Sequence, residues 1–183
     1  MEFTKTKFDG VFLIKPQVFG DSRGFFLESY SKKKFEEAGI AADFVQDNHS
    51  RSAEKGVLRG LHFQKPPFAQ AKLVWTIKGK ILDAVVDLRK DSDTFGQWEG
   101  FELSAENFLM LFVPRGFAHG FCVLEEGTEV MYKTDNYYAP EHDSGLLWND
   151  QTLKIDWPVK EPILSEKDQK QQVFEEFIKN NPF

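Results

Sequence analysis

The run Lys72-Leu-Val-Trp-Thr-Ile77, Lys78-Gly79-Lys80, Ile81-Leu-Asp-Ala-Val-Val-Asp-Leu88 decides the fold class. Two β-rich segments around a short glycine-centred turn predict a β-hairpin. Successive side chains of a strand point to opposite faces, so Leu82, Ala84, Val86 and Leu88 share one face of the second segment and Asp83, Val85 and Asp87 the other. The first face is expected in a core. The second carries two acids and is expected either in solvent or along a polar cavity.

Similar short β-runs, each bounded by turn residues, lie on both sides: 11–14, 24–30, 44–50, 57–63, 97–103, 108–113, 118–124 and 129–134. About ten evenly spaced strands predict an all-β antiparallel sandwich or barrel. Aromatic residues make up 15% of the chain and 19 of them are Phe, which suits broad sheet faces packed on one another. Two segments have helical character. Ser31 is placed to N-cap a short helix over 32–38, with Phe35 as its buried residue and Gly39 just past its end. Ser165 is placed to cap a C-terminal helix over 166–179, with Val173, Phe174, Phe177 and Ile178 as its apolar stripe. The stretch 140–162 has weak periodicity and reads as ordered loop. The expected organisation is one domain over 1–183, with a β core at about 11–134, a loop region at 135–164 and the helical tail.

Twenty-three Lys+Arg against twenty-nine Asp+Glu leave a net charge of −6, which argues against nucleic acid or an anionic membrane surface as partner. The longest uncharged stretch, 116–124, is too short to span a bilayer. Lys5, Lys7 and Asp9 interrupt any apolar leader, so a cytoplasmic protein is expected. The single cysteine, Cys122, supports neither an internal disulfide nor a multi-thiolate metal site.

Cofactor motifs are missing: there is no G-x-G-x-x-G, no G-x-x-x-x-G-K-[ST] and no G-x-S-x-G. Of four histidines, His62 and His119 lie in strand-like runs, where a lone His is commonly a hydrogen-bonded structural residue. The paired ligand spacing of a β-barrel metal site is absent around His62, although His62, His119 and a distant carboxylate could converge. Arg23 and Arg59 could clamp a phosphate or serve as surface ion pairs. Lys72 opens an otherwise apolar strand, so its ammonium must face water, a cavity or a ligand.

Taken in order, several blocks resemble the dTDP-4-dehydrorhamnose 3,5-epimerase family: Val18-Phe-Gly-Asp-Ser-Arg-Gly-Phe-Phe-Leu-Glu-Ser-Tyr30, Phe44-Val-Gln-Asp-Asn-His-Ser50, Val57-Leu-Arg-Gly-Leu-His-Phe-Gln64, Lys72-Leu-Val74, Asp83-Ala-Val-Val-Asp-Leu-Arg89, Thr94-Phe-Gly-Gln-Trp98, Leu103-Ser-Ala-Glu-Asn107, Val113-Pro-Arg-Gly-Phe-Ala-His-Gly-Phe121, Tyr132-Lys-Thr-Asp-Asn-Tyr-Tyr138 and Gly145-Leu-Leu-Trp-Asn-Asp150. The resemblance implies a cupin-type jelly roll, a homodimer, no cofactor and the nucleotide sugar dTDP-4-dehydro-6-deoxy-D-glucose as substrate. It implies His62 as base with Asp168 orienting it, Lys72 at the developing oxyanion and Tyr132 as acid on the opposite face. For the rest of the substrate it implies Arg23, Glu28, Gln46, Asp47, Asn48, Arg59, His119, Tyr138, Asp143 and Lys167, with Tyr138 stacked on thymine and Arg23 and Glu28 serving the partner's pocket. Asp143 stands where the family has Glu, and Ala71 where Gly often precedes the lysine.

Arg59 and His62 have opposite strand parity, so both enter one cavity only if Gly60 breaks the ladder. Three other readings compete: an epimerase of one centre or a ketoisomerase on the same scaffold; a metal-dependent cupin oxygenase, suggested by Pro114-x-Gly116-x-x-His119; and a sugar-binding module without catalysis.

Overall fold

Strands apolar on both faces need cover on both sides, and the chain provides it with two stacked sheets and an outer layer on each. The computed structural model describes residues 1–183. One antiparallel sheet has six strands in the order β1 (Glu2–Lys5), β2 (Phe12–Lys15), β10 (Met110–Val113), β7 (Lys72–Lys78), β12 (Thr128–Thr134), β5 (Gln46–Ser52). The other has five: β13 (Asp143–Gly145), β6 (Leu58–Gln64), β11 (Phe117–Val123), β8 (Lys80–Asp87), β9 (Trp98–Ser104). A separate hairpin joins β3 (Val18–Asp21) to β4 (Gly24–Leu27). This is the expected all-β cupin-type jelly roll; β1, β3 and β13 are strands that the periodicity does not reveal.

Val74, Val85, Leu111, Phe117, Phe121 and Val130 meet between the sheets. The outer face of the six-stranded sheet, with Leu73 and Phe112, is covered by Phe35 and Ile40. Phe35 belongs to α1 (Lys32–Glu37), which matches the predicted short helix, although the Ser31 side chain makes no capping hydrogen bond. The outer face of the five-stranded sheet, with Ala84, Val86 and Leu88, is covered by Trp157, Phe174 and Phe177 from the C-terminal region. Each fully buried Leu or Phe of this kind contributes ~1.5–3 kcal/mol.

Two sequence expectations need correction. The two arms of the predicted hairpin around Gly79 lie in different sheets: β7 pairs with β10 and β12, whereas β8 pairs with β11 and β9. With both faces of each arm buried, alternation marks two strands but does not say which strand each one pairs with. Gly79 instead makes the corner from one sheet to the other, at φ +73° and so close to Thr128 that a Cβ would lie 2.3 Å from its Oγ1.

The predicted continuous helix over 166–179 is broken into a 3-10 turn Asp168–Lys170, a four-residue α2 (Phe174–Phe177) and a further 3-10 turn Ile178–Asn180. Ser165 does cap the first turn, its Oγ accepting from the Asp168 N–H at 3.1 Å. Gln171 is then extended, because Gln172 joins Leu146 in a β-bridge and accepts the Leu147 N–H at 2.8 Å. Asp150 accepts the Phe174 N–H at 2.7 Å and restarts the helix. Long-range backbone pairing thus overrides the local helical pattern.

Candidate active site

At one end of the sandwich the sheets enclose a cavity of about 490 Å³, lined among others by Arg59, His62, Lys72, His119, Tyr132 and Asp168. Strand parity explains which side chains enter. On β7 Leu73 packs outward, so Lys72 and Val74 face in. On β12 Val130 and Tyr132 face in. His119 follows the parity of Phe117 and Phe121 on β11, and lies directly opposite His62 of β6.

The break at Gly60 is present. The β6–β11 register shifts between His119 and Phe121, the Gly60–Leu61 peptide is cis, and Gly60 has φ +122°. A Cβ on Gly60 would lie 2.6 Å from the Gly120 Cα, so the two strands cross more closely than any other residue permits. Leu58 and Leu61 consequently both pack outward, and both Arg59 and His62 reach the cavity.

The C-terminal turn supplies the carboxylate beside His62. His62 Nε2–H donates to Asp168 Oδ1 at 2.5 Å, and Ser165 Oγ–H donates to Asp168 Oδ2 at 2.8 Å. Burial alone would raise the Asp168 pKa. The hydrogen bond and charge of His62, the Ser165 hydroxyl and the Lys167 charge outweigh it and hold the carboxyl below its ordinary range. Burial pushes the Lys72 ammonium down to about 8, against the opposing charges of Asp83 and Asp143. Burial also raises the Tyr132 phenol, with Arg59 acting the other way, so Tyr132 keeps its proton throughout the neutral range.

Beside the cavity, the Tyr138 hydroxyl donates to Asp143 Oδ2 at 2.9 Å and the Lys167 ammonium pairs with the same oxygen. Gln46 and Asn48 share the inner face of β5 and hydrogen-bond each other at 3.0 Å, and Gln46 Oε1 accepts the Tyr138 N–H at 3.3 Å. Asp47 is on the opposite face, paired with Lys133 at 2.8 Å. Arg23 lies at the exposed tip of the β3–β4 hairpin, paired with Asp21, and Glu28 accepts from Lys34 at 2.7 Å. Neither lines the cavity of its own chain.

One group escaped the sequence reading as a site residue. Asp83 of β8 is fully buried and accepts from His119 Nε2–H at 2.8 Å. Its signal was the acidic face it shares with Asp87 on the second segment, expected either in solvent or along a polar cavity. Asp87, two residues on, accepts instead from Arg89, Ser92 and Thr94 and stabilises the following turn. No three His, Cys, Asp or Glu side chains converge as metal ligands.

The chain matches the model of the family described as dTDP-4-dehydrorhamnose 3,5-epimerase over residues 5–176. A relative of that name from Pseudomonas aeruginosa is 54% identical over 95% of this chain and 96% of its own length. The crystal structure of a Bacillus anthracis dTDP-4-dehydrorhamnose 3,5-epimerase with TDP and PPi bound superposes with a TM-score of 0.93 at 56% identity, covering 94% of this chain and 98% of that one. A Legionella pneumophila epimerase solved with dTDP-4-keto-L-rhamnose gives 0.90 at 45% identity, covering 94% and 92%. With matches of this extent and identity, the chain belongs to the dTDP-4-dehydrorhamnose 3,5-epimerase family.

Proposed function

We propose that the chain carries out the family reaction, inversion of C3 and C5 of dTDP-4-dehydro-6-deoxy-D-glucose, with His62, Asp168, Lys72 and Tyr132 as its working groups. The C4 ketone of that sugar acidifies the hydrogens on both neighbouring carbons. His62 removes one of them. Asp168 fixes the imidazole with Nε2–H bonded outward, which leaves the lone pair on Nδ1. The electron pair of the broken C–H bond moves onto O4 as an enolate, and the Lys72 ammonium holds that oxygen. Tyr132 returns a proton to carbon from the other side. The phenolate and imidazolium left behind exchange with solvent, and the second centre follows by the same steps. The chemistry is complete without a cofactor.

The observation that carries this reading is the convergence of an imidazole–carboxylate pair, an ammonium and a phenol on one cavity from two successive strands, a third about 60 residues on, and the tail. The diphosphate is assigned to Arg59, the sugar to His119, and the thymine to Tyr138 with Gln46, Asn48, Asp143 and Lys167 around it. Asp47, on the far face of β5, acts on substrate only if that strand rearranges.

Arg23 and Glu28 are assigned to a partner's pocket in a homodimer. The β3–β4 hairpin pairs with no other strand, and its Phe19, Phe25 and Phe26 are 56%, 62% and 69% exposed, an apolar surface suited to a second subunit. Complementation tests both parts. Arg23→Ala and His62→Asn chains, each inactive alone, should regain about a quarter of wild-type activity when mixed and reassembled, since one site per mixed dimer is whole. No recovery would remove the shared-site assignment.

A further inference from the structure

We propose that Asp83 is a positioning residue of the epimerisation: its buried carboxylate, behind the cavity-lining His119, orients that ring and supplies a counter-charge for the Lys72 ammonium of the opposing sheet. This rests on the reading of Lys72 as the group that holds the enolate oxygen. Asp83 projects from the inner face of β8 between Ile81 and Val85, and Lys72 projects from the inner face of β7 in the opposing sheet. A carboxylate in such a place is costly unless paired. One oxygen of Asp83 receives the His119 Nε2–H at 2.8 Å, and the other, Oδ1, is buried with no hydrogen-bond partner.

A core that needed only packing would be served by a third aliphatic residue beside Ile81 and Val85. The unpartnered oxygen calls for a nearby cation, and Lys72 provides one. Other charged or titratable groups around Lys72 are Asp143 of β13, Lys167 and Asp168 of the tail, Arg59 and His62 of β6, His119 of β11 and Tyr132 of β12. Among the groups that favour the charged lysine, Asp83 is the strongest and Asp143 follows, while burial and Lys167 oppose them. Asp83 therefore sets how much of the ammonium survives at the pH of turnover, and it fixes an imidazole directly opposite His62.

The test follows the Lys72 Cε resonance in 13C-lysine-labelled protein against pH, assigned with Lys72→Arg, for wild type and Asp83→Asn. The wild-type midpoint is expected near 8. In folded Asp83→Asn it should drop to roughly 7 or lower. Turnover at pH 8, relative to the same protein at pH 6, should then be roughly fivefold lower than in wild type, with dTDP affinity within about threefold. Asp83→Glu, which keeps the charge, should restore the midpoint toward wild type. An unmoved midpoint and pH profile in folded Asp83→Asn would overturn the proposal. Should that variant not fold, Asp83→Ser, which also removes the charge, takes its place with the same expected drop, and an unmoved midpoint in folded Asp83→Ser overturns the proposal as well. Full turnover by Lys72→Met would instead strike the underlying reading of Lys72, and the titration of wild type would be untouched by that result.

Discussion

Nε2 of His62 and Oδ1 of Asp168 lie 2.5 Å apart although 106 residues of chain separate them. The histidine comes from a strand of the five-stranded sheet and the aspartate from a turn that packs with the tail. Their meeting depends on the C-terminal region being part of the core rather than an appendage.

Asp168→Asn keeps the shape of the side chain and removes its charge. The amide can present its N–H to Nε2, which favours the tautomer with the lone pair facing the wrong way. We expect kcat to fall roughly 10²–10³-fold with dTDP affinity little changed, measured by steady-state kinetics beside calorimetric titration of dTDP. A loss confined to affinity would contradict the orienting role.

Turnover should also fall as pH rises through about 8, where Lys72 loses its proton. The sign follows from the proposed role of Lys72, in which the charged form would hold the enolate and the neutral amine would not. The Tyr132 phenol, raised by burial, deprotonates well above this range and is not the source of the limb. Lys72→Arg should shift the alkaline limb upward, since guanidinium stays charged, with a lower plateau because a planar group replaces a compact one. A pH–kcat profile of both proteins checks this.

Gly60→Ala should fail to give active protein. The added methyl would stand 2.6 Å from the Gly120 Cα and 2.9 Å from the His119 carbonyl, both backbone atoms, and at φ +122° alanine is strained as well. The expected outcome is insoluble chain, or folded chain without epimerase activity, because both Arg59 and His62 depend on the crossing. Expression yield, circular dichroism and an activity assay distinguish these from a tolerated substitution.

Phe177→Ala removes a ring packed on Phe63 with centroids 5.4 Å apart and buried beneath the tail. A loss of ~3–5 kcal/mol is expected, seen as a drop in Tm of roughly 10 °C. Because the same segment presents Asp168, kcat at moderate temperature should fall too, though the residue touches no substrate.

The sequence announced most of this molecule through local alternation. The runs at 72–77 and 81–88 are strands, and Phe35 is buried on a short helix as its spacing indicates. Pairing was less legible: once both faces of a strand are buried, nothing in its own pattern names the neighbouring strand, and Gly79 is equally at home in a hairpin and in a corner between sheets. The tail shows the opposite failure. Val173, Phe174, Phe177 and Ile178 have helical spacing, yet the bridge at Gln172 and the Asp150 carboxylate divide the segment. Among site residues, the parity conflict between Arg59 and His62 exposed the irregularity at Gly60, whereas Asp83 shared its signal with Asp87, and an acidic face fits solvent as well as a polar cavity.

The central claim is that His62 and Tyr132 act from opposite sides of a ketone-activated sugar to invert two centres. Proton NMR of the keto-sugar nucleotide in deuterated water, run with wild type, His62→Asn and Tyr132→Phe, tests it most directly. Deuterium should enter both C3 and C5 with wild type and neither with His62→Asn, and Tyr132→Phe should form inverted product at least ~10²-fold more slowly. Label at a single carbon with wild type, or undiminished exchange by His62→Asn, would contradict the account.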